Sequence, residues 1–230
     1  MNNLGNAFAF PFKDPQWVSK FLMGALFLIL SIVLVGIFAL AGYYVQVTQR
    51  AMRGEEHPLP EWDDIGGKIV LGLKYAVVWI VYFLPIVLLY IPFFIIIVVS
   101  NLAGPNDMGA AFAGFSLVFV LIIVLLVVPY SLALTALTPV IAYRFAEHES
   151  IGEALDISAL WSSFRVNWQN TLIVALIAVG LQSFAGIGIL AFFVGIFFTI
   201  FYASLVSAYM HGALYRETIS RTAPSTGVLP

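Results

Sequence analysis

Tyr75–Asn101 reads YAVVWIVYFLPIVLLYIPFFIIIVVSN, and no side chain in it carries a charge. A helix needs roughly 20 apolar residues to cross about 30 Å of hydrocarbon, so this stretch alone is long enough for one crossing. Working outward, the charge-free stretches are Phe21–Gln49, Tyr75–Asn106, Met108–Tyr143 and Thr171–Tyr215, with Asp107 alone separating the second from the third. Charged residues make up only 10% of the chain, against about 25% in a soluble domain whose surface faces water. Burying four such stretches inside a soluble protein would demand a far larger fold. The expected fold class is therefore all-α, a polytopic helical transmembrane bundle with interfacial helices.

The fourth stretch is long enough for two crossings, and Gln182-Ser183 with Gly186 and Gly188 supplies a break. The expected organisation has an interfacial segment over 1–20 and a single transmembrane domain over 21–217. Its five spans lie at about 21–47, 69–101, 110–143, 168–185 and 189–215, with a flexible tail over 218–230. The first apolar run is longer than the roughly 7–15-residue core of a cleavable signal, so it reads as retained. Phe8, Phe10, Phe12 and Trp17 beside Lys13 and Lys20 suit the headgroup layer. Pro85 and Pro92 in the second span and Pro129 and Pro139 in the third each remove an intrahelical hydrogen bond, which favours bent helices. Small residues at four-residue spacing (Ala110 with Gly114, Ala203 with Ser207, Ser204 with Ala208 and Gly212) allow close helix approach in lipid.

Five spans put eight basic residues on one side, Arg50 to Arg221, and Lys13 with Lys20 on the other. The positive-inside rule then makes the larger group and the C-terminus cytoplasmic. A rival arrangement has Phe21–Gln49 dip in and return near Gly36. All ten basic residues would then share one side.

Chemistry is sparse. Cysteine is absent, which excludes thiol chemistry and disulfides, and a net charge of −2 gives no reason to expect nucleic acid. No Asp, Glu, Lys or Arg stands near the middle of any span, where pumps and ion-coupled transporters need them. No enzyme, cofactor or metal is expected. The most distinctive segment is the loop Arg50–Asp64, with five carboxylates and His57 within ten residues. Oxygen-rich clusters suit hard cations, but the spacing is not that of an EF-hand. Pro60 in a first helical turn with Glu61, Asp63 and Asp64 complementing the helix dipole is the structural reading, Trp62 anchoring at the interface and Lys68 and Lys74 snorkelling. Ser150 with Glu153 reads as a capping box before a short interfacial helix. Arg165 to Asn170 could hold lipid phosphate or cap a helix. The candidate loop residues are Glu61, Trp62, Asp63, Asp64, Arg165 and Asn170.

The loop carries a resemblance as well. Gly42-Tyr43, Arg50, Arg53, Gly54, Leu59-Pro60-Glu61-Trp62-Asp63-Asp64 and Gly72-Leu73-Lys74, with Phe12-Lys13-Asp14-Pro15 upstream, resemble an uncharacterised prokaryotic family of multi-pass membrane proteins, domain of unknown function 4013. The likeness is strongest over about 10–85. It implies a bacterial or archaeal plasma membrane and brings no activity with it. The expected role is non-enzymatic, through contacts with membrane lipids and with a membrane-protein partner or a second copy of the chain. The alternative is a channel or transporter for a neutral or apolar solute, lined by Tyr82, Tyr90, Tyr130, Ser131, Thr135 and Thr138.

Overall fold

The computed structural model describes residues 4–103, 107–186 and 194–222. Helices α1 (Leu4–Lys13), α2 (Trp17–Leu30), α3 (Val35–Arg53), α4 (Ile65–Ala103), α5 (Asp107–His148), α6 (Ile151–Leu155), α7 (Ile157–Val166), α8 (Trp168–Ala185) and α9 (Val194–Thr222) follow in order, and no strand occurs among the described residues. The all-α bundle read from composition is what the chain forms. Four helices are long and apolar enough to cross a membrane: Ile65–Leu102, Gly114–His148, Trp168–Ala185 and Gly195–Thr222. A fifth crossing exists only if the pair α1–α2, bent by 97°, counts as one.

The first apolar stretch is not one helix. Ser31–Val33 tightens to a 3-10 turn, Leu34 takes φ of 64°, and α3 then starts in a new direction. Ser31 Oγ donates to the Phe27 carbonyl, and the Leu34 N–H to the Ser31 carbonyl, so the turn satisfies part of the opened backbone. Gly36 follows because α3 leaves so close to the last turn of α2 that a Cβ would collide with the Phe27 carbonyl. The chain returns, and α2 and α3 pack on one another.

By its internal contacts the chain divides into Met1–Val78 with Ala136–Pro230, and Trp79–Thr135. In the first unit α3, α2 and α8 all pack against α9. The small-residue face of α9 works as its spacing suggests: Ala203, Ser207 and Ala208 are buried, and a Cβ at Gly212 would press on the Thr48 carbonyl and Ala51. Gly24 likewise admits the Phe201 ring. Helix α1 uses its aromatics for docking on α9. Phe10 is buried and stacks on Tyr209 with centroids 4.5 Å apart, and the Tyr202 hydroxyl donates to the Phe8 carbonyl.

In the second unit large aliphatic side chains face outward, Leu117 and Leu125 being 71% and 73% exposed. Gly114, read from its spacing with Ala110 as a packing face, has nothing within 4 Å of a built Cβ. The Ala110 side chain lies outside the described residues. The four prolines sit inside α4 and α5, each of which runs through as a single helix. At the far end of α8 the helix stops at Ala185 with Gly186 as its cap, as the glycines suggest, while Gly188 lies outside the described residues.

Candidate functional site

The loop between α3 and α4 is fixed from both sides. Gly54 ends α3 with φ of 73°, a left-handed conformation that glycine adopts without steric cost. The chain then runs without helix to Ile65, so Pro60 does not open a helix and Glu61 and Asp63 are not in a first turn. Asp64 is the residue before the helix, and its carboxylate accepts the Gly67 N–H at 2.8 Å, which is the side-chain cap of α4. A parallel shift occurs downstream. Ser150 makes no side-chain cap, Glu153 pairs with Arg144 at 2.6 Å, and Asp156 caps α7 by accepting from the Ala159 N–H. The capping box fails because Arg144 offers Glu153 a full opposite charge.

Trp62 is the centre of the junction. It stacks on Phe27 of α2 and Tyr43 of α3, with centroids 4.7 and 4.3 Å away, and its indole N–H donates to the Lys20 carbonyl at 3.2 Å. It is thus a packing residue joining the two legs of the hairpin. Tyr43 donates to the Pro60 carbonyl at 3.0 Å, and Arg50 and Lys20 both donate to the Leu59 carbonyl. Lys20 is buried, pairs with buried Asp14 at 2.8 Å, and reaches Glu61 at 2.6 Å. Where α3 crosses α4, a Cβ at Gly42 would strike the Lys68 carbonyl and one at Gly72 the Phe38 carbonyl. Gly42, Tyr43, Arg50, Leu59 to Glu61, Trp62 and Gly72 of the sequence motif therefore meet in one place.

Beside it lies a polar cleft of about 200 Å³, lined by Gln46, Gln49, Arg50, Arg53, Pro60, Glu61, Asp63, Asp64 and Lys68. Three cations and three carboxylates share its walls. Lys68 does not snorkel: it is 1% exposed and lies 3.7 Å from Asp63, whereas Lys74 is exposed. Asp63 accepts the Asp64 N–H at 2.9 Å, and this backbone bond, ahead of the charge of Lys68, holds its carboxyl below the usual range. Among the described residues no three of His, Asp and Glu gather as metal ligands.

Of the residues singled out from sequence, Glu61, Trp62, Asp63 and Asp64 come together here, but Arg165 and Asn170 are not among the residues lining the cleft. Arg165 is exposed at the end of α7, and Asn170 donates to Glu217 of α9. Arg144 is committed to Glu153 and Gln49 bridges to the Ala146 carbonyl and Glu149. Sequence reasoning placed Lys20 at the headgroups and had Lys68 snorkel, whereas both are buried. The available signal for Lys20 was its position at the edge of the apolar run that starts at Phe21. Two of the six proposed solute-path hydroxyls are occupied locally: Tyr130 donates to the Tyr82 carbonyl at 2.7 Å and Thr135 to the Ser131 carbonyl at 2.8 Å.

Comparison with known families matches residues 25–197 to the family described as a protein of unknown function, DUF4013. The match covers well over half the chain, which therefore belongs to that family. It takes in α3, the Leu59–Asp64 loop and the α3–α4 crossing, and leaves out Phe12–Pro15 and Lys20. No curated protein and no solved structure matches.

Proposed function

We propose that this DUF4013 member is a non-enzymatic integral protein of a bacterial or archaeal plasma membrane, acting through lipid contact by a hairpin that enters one leaflet and returns. The observation that carries the reading is the Leu59 carbonyl, which accepts from both Lys20 at 3.2 Å and Arg50 at 3.0 Å. A continuous helix over Phe21–Gln49 would hold its ends about 42 Å apart, whereas here the residues flanking the two ends, Lys20 and Arg50, meet at one atom. Within Phe21–Gln49 the α2 leg, Phe21–Leu30, rises about 15 Å and the α3 leg, Val35–Gln49, about 22 Å at 1.5 Å per residue, both short of the roughly 30 Å hydrocarbon layer. The turn offers Ile32, Val33 and Leu34 at 88%, 65% and 62% exposure, a tip suited to acyl chains and ill suited to water. With both hairpin ends on one face, all ten lysines and arginines fall on the cytoplasmic side, together with the C-terminus. Such a shape suits organising lipid, or a neighbouring membrane protein, more than moving a solute.

The absence of native cysteine makes the test direct. Lys13→Cys and Glu56→Cys, both at exposed positions, should react with a membrane-impermeant maleimide from the same side of sealed vesicles. Val33→Cys should react from neither side. Labelling of Lys13→Cys and Glu56→Cys from opposite faces would show a crossing and overturn the hairpin. Urea or glycerol flux into reconstituted vesicles should match that of empty ones; accelerated flux would favour the transport alternative.

A further inference from the structure

We propose that the polar cleft between the end of α3 and the start of α4 binds a phosphate group, held by Lys68, Arg50 and Arg53. Lys68 is the strongest indication. Its ammonium has three donors and is 1% exposed, yet its contacts are long: 3.7 Å to Asp63 Oδ1 and 3.5 Å to the Asp64 carbonyl. A buried charge without short hydrogen bonds is costly, and an anion in the cleft would remove that cost. The guanidinium groups also have donors left over. Each has five, while Arg50 makes one short bond, to the Leu59 carbonyl at 3.0 Å, and Arg53 one, to Glu55 at 2.7 Å.

Two of the three carboxylates on the same walls have other partners. Glu61 holds Lys20 and Asp64 caps α4, while Asp63 accepts the Asp64 N–H and stands 3.7 Å from Lys68 with its side chain 80% exposed. The three cations together carry more N–H donors than these contacts use. Arginine forks match carboxylate and phosphate oxygens, and a tetrahedral phosphate has enough oxygens to engage three cations at once. About 200 Å³ leaves room for a phosphate ester with bridging waters. The cleft lies where two apolar helices meet their polar ends, which on the membrane reading above is the level of lipid headgroups. Taking the phosphate from a lipid rests on the lipid-contact reading above; the phosphate chemistry itself does not.

The test uses the full chain in phosphatidylcholine nanodiscs doped with phosphatidylglycerol, with retained lipid counted by native mass spectrometry. A second arm titrates inorganic phosphate into the detergent-purified protein. Wild type should retain phosphatidylglycerol over phosphatidylcholine, and Lys68→Met or Arg53→Gln should weaken retention about tenfold, the scale of one lost charge-assisted hydrogen bond. Arg53 is 59% exposed, so Arg53→Gln keeps the fold and decides the matter if Lys68→Met does not fold. Binding of inorganic phosphate that these variants weaken, without lipid preference, supports the cleft and assigns it a soluble phosphate. Retention of both probes unchanged in the variants, or binding of neither by wild type, overturns the proposal. The cysteine-labelling pattern of the hairpin is independent of these donors, so the two readings fail separately.

Discussion

A Cβ built at Gly42 collides with the Lys68 carbonyl, whereas one built at Gly114 meets nothing within 4 Å. Both glycines lie in apolar helices, yet only the first is held by a neighbour. Around Gly42, within Met1–Val78 and Ala136–Pro230, helices are joined by close backbone approach, ring stacking and a buried ion pair. In Trp79–Thr135 the surface is aliphatic and outward-facing, with Tyr130 and Tyr82 forming a polar link. Apolar side chains gain little by leaving lipid for one another, because acyl chains are equally apolar. Fixed geometry in this chain therefore comes from small residues and polar locks, and hydrophobicity alone leaves a helix surface available to lipid.

The sharpest way to break that contrast is steric. Gly42→Leu forces a side chain into the α3–α4 crossing and should cost more than about 4 kcal/mol, the range of severe core lesions. Size-exclusion chromatography should show loss of the monodisperse peak. Gly114→Ala should leave that peak unchanged or raise thermal stability slightly, by up to about 1 kcal/mol from helix propensity. Equal tolerance at both sites would erase the distinction between the regions.

Electrostatics come next. Lys20→Ala leaves buried Asp14 without its partner and should destabilise by about 3–5 kcal/mol. Adding Asp14→Asn should recover part of the loss in thermal unfolding, since the uncompensated charge is then gone. No recovery would mean that the Leu59 and Glu61 contacts, rather than the pair itself, hold the hairpin base. Trp62→Ala is milder because the ring is only half-buried. A loss of about 2–3 kcal/mol is expected, below that of a fully enclosed tryptophan. Leu125→Ala, at a lipid-facing position, should stay within about 0.5 kcal/mol.

The smallest effect is that of pH on Asp63. Its folded carboxyl is held below the ordinary value near 4, chiefly by the Asp64 N–H. The folded state thus binds its proton less readily than the unfolded chain. The contribution is present above the unfolded value and fades as pH falls through the folded one. Asp63→Asn should flatten the acid side of the thermal-stability profile by a small amount. A steeper acid limb in the variant would reverse the sign and refute the assignment.

Much of the junction was legible before any coordinates. The Leu59–Asp64 motif stands out between two apolar runs, Gly42 and Gly72 were marked by the family resemblance, and they do meet. Their roles were less legible. The dipole argument placed Glu61, Asp63 and Asp64 together in a first turn, but only Asp64 caps; Glu61 is drawn to Lys20, 41 positions away in the chain. The Ser150–Glu153 box failed for the same reason, a distant cation competing with a local N–H. Local rules weigh neighbours in sequence and have no means of counting partners brought in by folding.

The helical, membrane-spanning class followed from the sequence alone, because charge-free stretches longer than the hydrocarbon layer have few other stable homes. That the first of those stretches breaks at Ser31–Leu34 and packs its two helices on one another was decided only by tertiary structure. Transfer of an apolar residue into lipid is worth the same on a crossing helix as on a re-entrant leg. What selects the return is the set of specific contacts at its base and turn: Gly36 against Phe27, Trp62 on Phe27 and Tyr43, and Lys20 between Asp14 and Glu61.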